Sequence, residues 1–291
     1  MPRTVTVAAL QANYGTDMDA NIAKTEKLVR EAAAKGAQII LPSELFQNIY
    51  FCNSQDSRWF AHAFPADTHP CVLAMQKLAK ELNVVIPTSI YEKAGQEYYN
   101  SIVIIDADGT NMGTYRKTHI PDGTGYMEKY YFRYGDNDFK VWNTKYARIG
   151  VGICWDQWYP EVARAMMIKG AELLFYPTAI GDEPHKPELD TSKQWQRAMQ
   201  GHAVSNIVPV IASNRVGGET NPFIDDAKKA KNNYYGCSFI ADHTGELVQV
   251  MDRKAEGVIV QTFDLDFLDR HRAEWGFFRD RRTDLYKGVI C

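Results

Sequence analysis

Three side chains that could act together in catalysis stand at the ends of hydrophobic runs. Cys154 lies in "GVGICWDQWYP", Glu44 in "IILPSELF" and Lys117 in "GTYRKTH". A thiol becomes a nucleophile when a base removes its proton and a nearby positive charge stabilises the resulting anion. A carboxylate and an ammonium group are suited to these two tasks. The three residues therefore predict nucleophilic attack by Cys154 on a carbonyl-type carbon.

The position of Cys154 depends on the elements around it. The run 148–154 is typical of a buried strand, and Pro160 starts a helical pattern soon afterwards. The cysteine is therefore expected on a strand-to-helix turn at the carboxyl edge of a sheet, where open α/β folds usually bind ligands. A cysteine inside a strand more often only fills space in the core. The turn favours the catalytic interpretation.

The rest of the chain predicts an α/β fold, because β-rich apolar runs alternate with segments of helical period. One helix is expected between the first two strands, and sequences typical of hairpin turns predict antiparallel pairs within a mixed sheet. Further strands are predicted at 5–11, 37–42, 83–91, 100–107, 171–177, 208–214, 234–241, 247–251 and 257–263, further helices near 70–82, 158–169 and 191–206, turns at 106–110 and 242–246, and long loops at 118–138 and 215–233.

Composition narrows the class of protein. A chain of 291 residues with 45% hydrophobic and 24% charged residues is typical of one globular domain, 1–291. The net charge of -3, without blocks of like charge, predicts no nucleic-acid or membrane partner. No apolar run is long enough to span a bilayer and no signal peptide is apparent, so a cytoplasmic location is expected. Scattered cysteines and histidines predict neither disulfides nor a metal or other cofactor.

The segments "LPSELF", "YRKTHIP" and "GICWDQWYPEVARAM" resemble, in this order, the three signature segments of the nitrilase superfamily, the thiol-dependent carbon–nitrogen hydrolases. The resemblance implies a nitrilase-type α-β-β-α four-layer sandwich with mixed sheets, and a catalytic triad of Glu44, Lys117 and Cys154. It also implies that Glu128 orients the lysine or the substrate. On spacing alone, Glu128 fits equally well a loop carboxylate paired with Lys129.

Physical chemistry suggests a role for each member of this triad. Glu44 can take the thiol proton and later return it to the departing nitrogen. The Lys117 ammonium and the backbone N–H of Trp155 can hold the substrate oxygen as negative charge builds on it. His119 is a rival base, because a cysteine–histidine pair is a common arrangement. Nothing in the sequence places it opposite Cys154, so a structural or supporting role is expected.

Residues that could select the substrate follow another predicted strand. "FYPTAIGDEP" brings Asp182 and Glu183 to the same sheet edge, and Tyr50, Trp155 and Trp158 could line an apolar channel there. A carboxylate beyond such a channel suits a cationic end group, although "GDEP" also fits a solvated turn. The segments "FQNIYFC" and "FYPTAIGDEP" resemble those of superfamily members that act on carbamoyl amines. This resemblance implies that Glu183, assisted by the Tyr50 hydroxyl, binds the distal ammonium of a cationic carbamoyl amine, with Asp182 as the alternative receptor.

Several alternatives remain open at this point. The triad also fits a nitrilase, a β-ureidopropionase or an ω-amidase, and Arg215 or Arg133 could receive the carboxylate that substrates of the last two carry. A non-catalytic polyamine-binding subunit is the alternative of a different class. The aromatic and basic tail, about 272–291, is typical of a surface that contacts a partner subunit. Relatives assemble through such tails, so a homo-oligomer, dimer or larger, is expected.

Overall fold

The computed structural model describes residues 2–184, 186, 188–226 and 231–287. Within these ranges the chain alternates between strands and helices, as predicted. The strands are β1 (Thr4–Ala12), β2 (Ile39–Leu41), β3 (Ile86–Ala94), β4 (Glu97–Ile105), β5 (Asn111–Arg116), β6 (Val141–Asn143), β7 (Arg148–Val151), β8 (Leu173–Pro177), β9 (Val210–Thr220), β10 (Lys231–Tyr235), β11 (Phe239–Ala241), β12 (Leu247–Val250) and β13 (Gly257–Asp264). The helices are α1 (Met18–Ala34), α2 (Pro70–Leu82), α3 (Pro160–Ile168), α4 (Ser192–Asn206), α5 (Leu265–Trp275) and α6 (Thr283–Tyr286). None of these helices combines the length and the hydrophobicity that a membrane span requires.

Alternation along the buried strands produces four layers. Successive side chains of a strand point to opposite faces. In β1, Ala9 packs into a central core between two layers of strands, whereas Leu10 packs under α1 and α2. In β8, Phe175 joins the same central core, whereas Tyr176 packs under α3 and α4. The expected α-β-β-α sandwich is therefore the observed architecture.

The parallel strands bring their carboxyl ends to one edge of the fold. Strands β7, β8 and β9 pair in parallel, and β1 pairs in parallel with both β2 and β9. Strands β3, β4 and β5 form a separate antiparallel sheet. Glu44 follows β2, Cys154 follows β7 and Glu183 follows β8, so the strand directions bring these residues to the same side of the sheet.

Both predicted turns are confirmed, while several strand limits differ from the prediction. The turns 106–110 and 242–246 join the antiparallel pairs β4–β5 and β11–β12. Both ends of the predicted loop 215–233 are strand instead, because β9 continues to Thr220 and pairs with β10. The predicted strand 234–241 is divided, since Gly236 and Cys237 adopt φ values of 61° and 54° that no strand accommodates.

Candidate active site

Cys154 lies at the start of a tight turn rather than in a strand. Strand β7 ends at Val151, and a short 3-10 helix, Cys154–Trp158, leads into α3. Cys154 itself has φ of 41°, in the left-handed region that costs a side-chain-bearing residue free energy. Only 7% of the residue is exposed. The structure therefore holds this thiol in a strained, nearly enclosed position, which is typical of a functional site rather than of core filling.

The carboxylate of Asp156 keeps this turn in place. It accepts hydrogen bonds from the backbone N–H of Ile153 at 2.9 Å and from the hydroxyl of Tyr115 at 2.8 Å. It also accepts from the backbone N–H of His119 at 3.0 Å and contacts Nδ1 of the same residue at 2.8 Å. The histidine ring stacks on Tyr159, with 3.6 Å between ring centroids. His119 thus supports the turn, and the sequence reasoning missed Asp156, whose only signal was a carboxylate two residues after the cysteine.

Lys117 lies between two buried carboxylates. Its Nζ donates to Oε1 of Glu44 at 2.9 Å and to Oε2 of Glu128 at 2.7 Å, and all three side chains are fully enclosed. Glu128 belongs to a short 3-10 helix in the loop after β5. The alternative pairing of Glu128 with Lys129 does not occur, because the Glu128 side chain points inward to Lys117. The structure therefore brings together three of the residues singled out in the sequence.

The charges of this cluster act on Cys154. Burial raises the pKa of the Cys154 thiol well above its ordinary value, the Glu44 charge adds to this rise, and the Lys117 ammonium opposes it. The backbone N–H of Ala179 donates to the sulfur and also opposes the rise. The thiol is therefore protonated in the resting protein, and its activation requires a base during the reaction.

The ammonium of Lys117 stays charged. Burial alone would lower the pKa of Lys117, but Glu128 and Glu44 outweigh this effect and raise it well above the ordinary value. Burial also raises the pKa of Glu128, to about 6, although Lys117 partly counteracts the increase. A lysine with a raised pKa cannot serve as the base, so its chemical contribution is a fixed positive charge.

Glu44 is the group that we expect to accept the thiol proton. Its Oε1 already receives the Lys117 ammonium and the side-chain amide of Asn100, the latter at 2.7 Å. Its Oε2 is buried and has no hydrogen-bond partner among the described residues. An unpaired buried carboxylate oxygen is a strong acceptor. The carboxylate thus has one anchored oxygen and one available oxygen.

A buried arginine holds the backbone that carries Glu44. The Arg215 guanidinium donates to the carbonyl oxygens of Glu44 at 2.9 Å and Leu45 at 2.6 Å. It also pairs with Glu219 at 2.6 Å, and Glu219 accepts from the backbone N–H of Tyr50 at 2.8 Å. Leu45 has φ of 50°, so this network fixes a strained turn beside Glu44. Arg215 is therefore engaged in structure and does not line the cavity as a carboxylate receptor.

Cys154 and Glu128 lie in the wall of a cavity of about 620 Å³. Trp155, Trp158 and Glu183, three of the predicted substrate-binding residues, also line it. The full lining among the described residues is Pro121, Asp122, Gly123, Thr124, Tyr126, Glu128, Cys154, Trp155, Gln157, Trp158, Ala179, Ile180, Glu183, Thr191 and Gln194. It contains three carboxylates and no lysine, arginine or histidine. Arg133 pairs with Glu97 on the surface instead.

Two other predicted substrate-binding residues lie elsewhere. The Tyr50 hydroxyl is buried and donates to Oε1 of Glu128 at 2.6 Å. The Asp182 carboxylate accepts from the backbone N–H and the side-chain amide of Asn233, at 3.1 and 2.7 Å. Neither residue is part of the cavity lining given above. Of Asp182 and Glu183, only Glu183 is part of the described cavity lining.

Residues 6–273 match the carbon-nitrogen hydrolase family, so the chain belongs to that family, as the nitrilase resemblance indicated. It is thus a hydrolase of carbon–nitrogen bonds other than peptide bonds. The chain is 56% identical to an N-carbamoylputrescine amidase of Arabidopsis thaliana, over 99% of this chain and 96% of that one. It is 50% identical to a citrullinase of Francisella tularensis, over 98% of each chain. A carbon-nitrogen hydrolase from Helicobacter pylori G27 has the same fold, with a TM-score of 0.90, 35% identity and 99% of both chains aligned.

Proposed function

We propose that this enzyme hydrolyses N-carbamoylputrescine to putrescine, carbon dioxide and ammonia. N-carbamoylputrescine carries a ureido group at one end of a four-carbon chain and an ammonium group at the other. The observation that carries the proposal is the charge of the cavity: Glu183 and Asp122 line it together with Cys154, and no described lining residue is basic. Such a cavity attracts a cationic end group and repels a carboxylate.

In the proposed reaction, Sγ of Cys154 attacks the ureido carbon while Oε2 of Glu44 takes the thiol proton. The carbonyl oxygen becomes negatively charged, and the Lys117 ammonium and the backbone N–H of Trp155 stabilise it. When the carbonyl re-forms, one C–N bond breaks and Glu44 returns its proton to the departing nitrogen. Each oxyanion donor of this kind is worth about 3 to 4 kcal/mol.

Water then completes the proposed reaction. Glu44 removes a proton from the water, the resulting hydroxide attacks the S-carbonyl carbon, and Cys154 leaves and regains its proton. The released carbamate decomposes to carbon dioxide and an amine, which breaks the second C–N bond. The overall reaction therefore consumes one water molecule for each carbon dioxide, ammonia and putrescine released.

The assay that tests the proposal compares substrates that differ in one charge. Ammonia release is measured with N-carbamoylputrescine, with N-carbamoylbutylamine, which lacks the terminal ammonium, and with citrulline, which adds a carboxylate beside it. We expect the highest kcat/KM for N-carbamoylputrescine and no turnover by Cys154→Ser. Citrulline as the better substrate, or binding of N-carbamoylputrescine without ammonia release, would overturn the proposal.

The role of Glu183 is tested in the same assay. Glu183→Gln removes the charge and keeps the shape, so kcat/KM for N-carbamoylputrescine is expected to fall at least tenfold more than for N-carbamoylbutylamine. Equal losses for the two substrates would remove Glu183 from the proposed binding site.

We also propose that the enzyme forms a homo-oligomer in the cytoplasm. Support comes from the part of the tail that the structure describes, where Trp275, Phe277 and Leu285 are exposed by 58%, 38% and 60%. Exposed apolar side chains of this size commonly mark subunit contacts. The end of the predicted contact tail, 288–291, lies outside the described residues.

A further inference from the structure

Glu183 belongs to a short segment that two neighbours hold. On one side, the hydroxyl of Tyr126 accepts from the backbone N–H of Gly181 at 3.0 Å and donates to the backbone carbonyl of Asp182 at 3.0 Å. One phenol therefore bonds backbone groups of the two residues that directly precede Glu183. A single hydroxyl that both accepts and donates fixes the direction of the backbone at that point.

Strand β10 holds the same segment from the other side. The backbone N–H of Asp182 donates to the carbonyl of Asn233 at 2.9 Å, and the Asp182 carboxylate receives the two Asn233 donors described above. Gly181 also forms a bridge with Tyr234. Strand β10 and Tyr126 therefore bond different backbone groups of Gly181 and Asp182.

The loop that carries Tyr126 is itself packed against this segment. A Cβ atom at Gly125 would come within 2.7 Å of Pro184, and Gly125 has φ of 87°. The Gly125 carbonyl accepts from the side-chain amide of Asn232 at 2.9 Å. These contacts tie the Tyr126 loop both to Pro184 and to β10. The loop therefore has little freedom to move independently of the segment that bears Glu183.

Tyr126 also packs near Tyr50, which is hydrogen-bonded to the buried charges around Lys117. The centroids of the Tyr126 and Tyr50 rings are 5.8 Å apart, and the Tyr50 hydroxyl donates to Glu128 beside Lys117. Tyr126 and Glu183 line the same cavity as Cys154. The phenol is thus placed between the residues proposed to perform the reaction and the carboxylate proposed to receive the distal ammonium.

We propose that Tyr126 is a positioning residue for substrate specificity, whose hydroxyl fixes the backbone before Glu183 and so sets the separation between that carboxylate and Cys154. The inference rests on the proposed function, since it takes Glu183 to be the receptor of the distal ammonium. A fixed separation selects for chain length as well as for charge. N-carbamoyl diamines with three or five methylenes would place their ammonium groups short of Glu183 or beyond it.

The test uses the ratio of kcat/KM for N-carbamoylputrescine to kcat/KM for N-carbamoylbutylamine. Both values come from one protein sample, so the ratio does not change when part of the sample is unfolded. Tyr126→Phe removes the hydroxyl and keeps the ring, and we expect this ratio to fall at least tenfold through a higher KM for the cationic substrate. The preference for four methylenes over three or five is expected to fall in the same variant.

The matched control is Tyr131→Phe. The Tyr131 hydroxyl donates to the carbonyl of Ser54 at 2.7 Å and accepts from the backbone N–H of Asp56 at 2.9 Å, and the residue is not part of the described cavity lining. The Tyr131→Phe variant therefore loses a comparable pair of hydrogen bonds, one donated and one accepted, away from the cavity lining. The substrate ratio and the chain-length preference are expected to stay at wild-type values in this variant.

A double-mutant cycle separates failure of this inference from failure of the proposed function. If Tyr126 acts through Glu183, adding Tyr126→Phe to Glu183→Gln should change the substrate ratio by less than twofold. The inference would be overturned if the two single-variant losses in the substrate ratio multiplied in the double variant, or if the ratio were unchanged in Tyr126→Phe. In either case, Glu183→Gln alone would still test whether Glu183 receives the distal ammonium. A wild-type enzyme without preference for the cationic substrate would instead overturn the proposed function.

Discussion

At the scale of single residues, the site divides its charges between fixed and reactive groups. Lys117 is held between Glu44 and Glu128, whose charges raise its pKa and favour the ammonium form. The Cys154 thiol has a raised pKa and is neutral at rest. We therefore expect activation of the thiol to depend on the carboxylate oxygen of Glu44 that has no described hydrogen-bond partner.

This division predicts the effect of replacing the base. Glu44→Gln keeps the hydrogen bond from Lys117 but cannot take a proton, so kcat is expected to fall by about 10³ or more. His119→Ala is expected to leave a measurable part of the activity, because His119 contacts Asp156 and Tyr159. Steady-state ammonia release measures both variants. Larger loss in His119→Ala than in Glu44→Gln would favour a cysteine–histidine pair.

We expect the pH dependence of activity to follow from the protonation of Glu128. Its pKa in the folded protein is about 6, above the ordinary 4.5, so it takes up a proton as the pH falls through about 6. Protonation removes one of the two charges that orient Lys117. We expect kcat/KM to be fully present well above pH 6 and to be lost on acidification with an apparent pKa near 6, which belongs to the coupled cluster as a whole. An acid limb centred near 4.5 would contradict this assignment.

At the scale of elements, the turn after β7 depends on one carboxylate. Asp156 accepts from Ile153, Tyr115 and His119, and no other described group replaces it there. The turn must also maintain the left-handed conformation of Cys154. The stability of this turn is therefore concentrated in a residue that is not expected to touch the substrate.

Replacing that carboxylate should lower stability as well as activity. Asp156→Asn replaces one carboxylate oxygen, which accepts hydrogen bonds, by an NH2 group, which can only donate. The donors that faced this oxygen lose their acceptor, and we expect the free energy of unfolding to fall by about 1 to 3 kcal/mol. Tyr115→Phe removes only one of the bonds to Asp156, together with the contacts of the same hydroxyl to Thr118, and should cost about 1 to 2 kcal/mol. Urea unfolding followed by tryptophan fluorescence measures both. An Asp156→Asn protein as stable as the wild type would show that other contacts hold the turn.

The sequence predicted the elements better than their limits. The alternation of apolar runs located most strands, and turn residues located both hairpins. Strand β6 has three residues, too few to show alternation, and α5 buries only Leu265 and Leu268, too few to show a helical stripe. Neither element was predicted for these reasons.

A site residue could be predicted where its position follows from the neighbouring sequence, and not where its role depends on residues far away in the chain. Residues at strand ends, such as Glu44 and Cys154, could be found because their positions follow from the strands. The role of Arg215 could not, because it binds carbonyl oxygens of residues 171 and 170 positions earlier in the chain. The engagement of Asp182 with Asn233 was equally invisible, since only the folded backbone brings them together.

At the scale of the whole molecule, apolar surface is concentrated near the end of the chain. Trp275, Phe277, Leu285 and Tyr286 are all at least 36% exposed. Of the described residues that follow α5, only Phe278 packs against one of the buried hydrophobic cores. This distribution is the structural basis for the proposed oligomer.

The proposal predicts how surface substitutions change assembly. Trp275→Glu and Leu285→Asp place charges on this apolar surface, and we expect light scattering after size-exclusion chromatography to show a smaller species than the wild type. Val250→Glu, on the exposed part of β12, is the control, because the residue is 45% exposed but lies outside the tail. A monomeric wild type, or unchanged mass in both tail variants, would contradict the prediction.

The acidic wall of the cavity also bears on what happens once bond cleavage is over. N-carbamoylputrescine has a single positive charge, whereas putrescine has two, so we expect the carboxylates of Asp122 and Glu183 to attract the diamine more strongly than its precursor. We therefore expect departure of the diamine to be slow. Putrescine should therefore be a competitive inhibitor with respect to N-carbamoylputrescine. Added sodium chloride screens these charges and should weaken the inhibition.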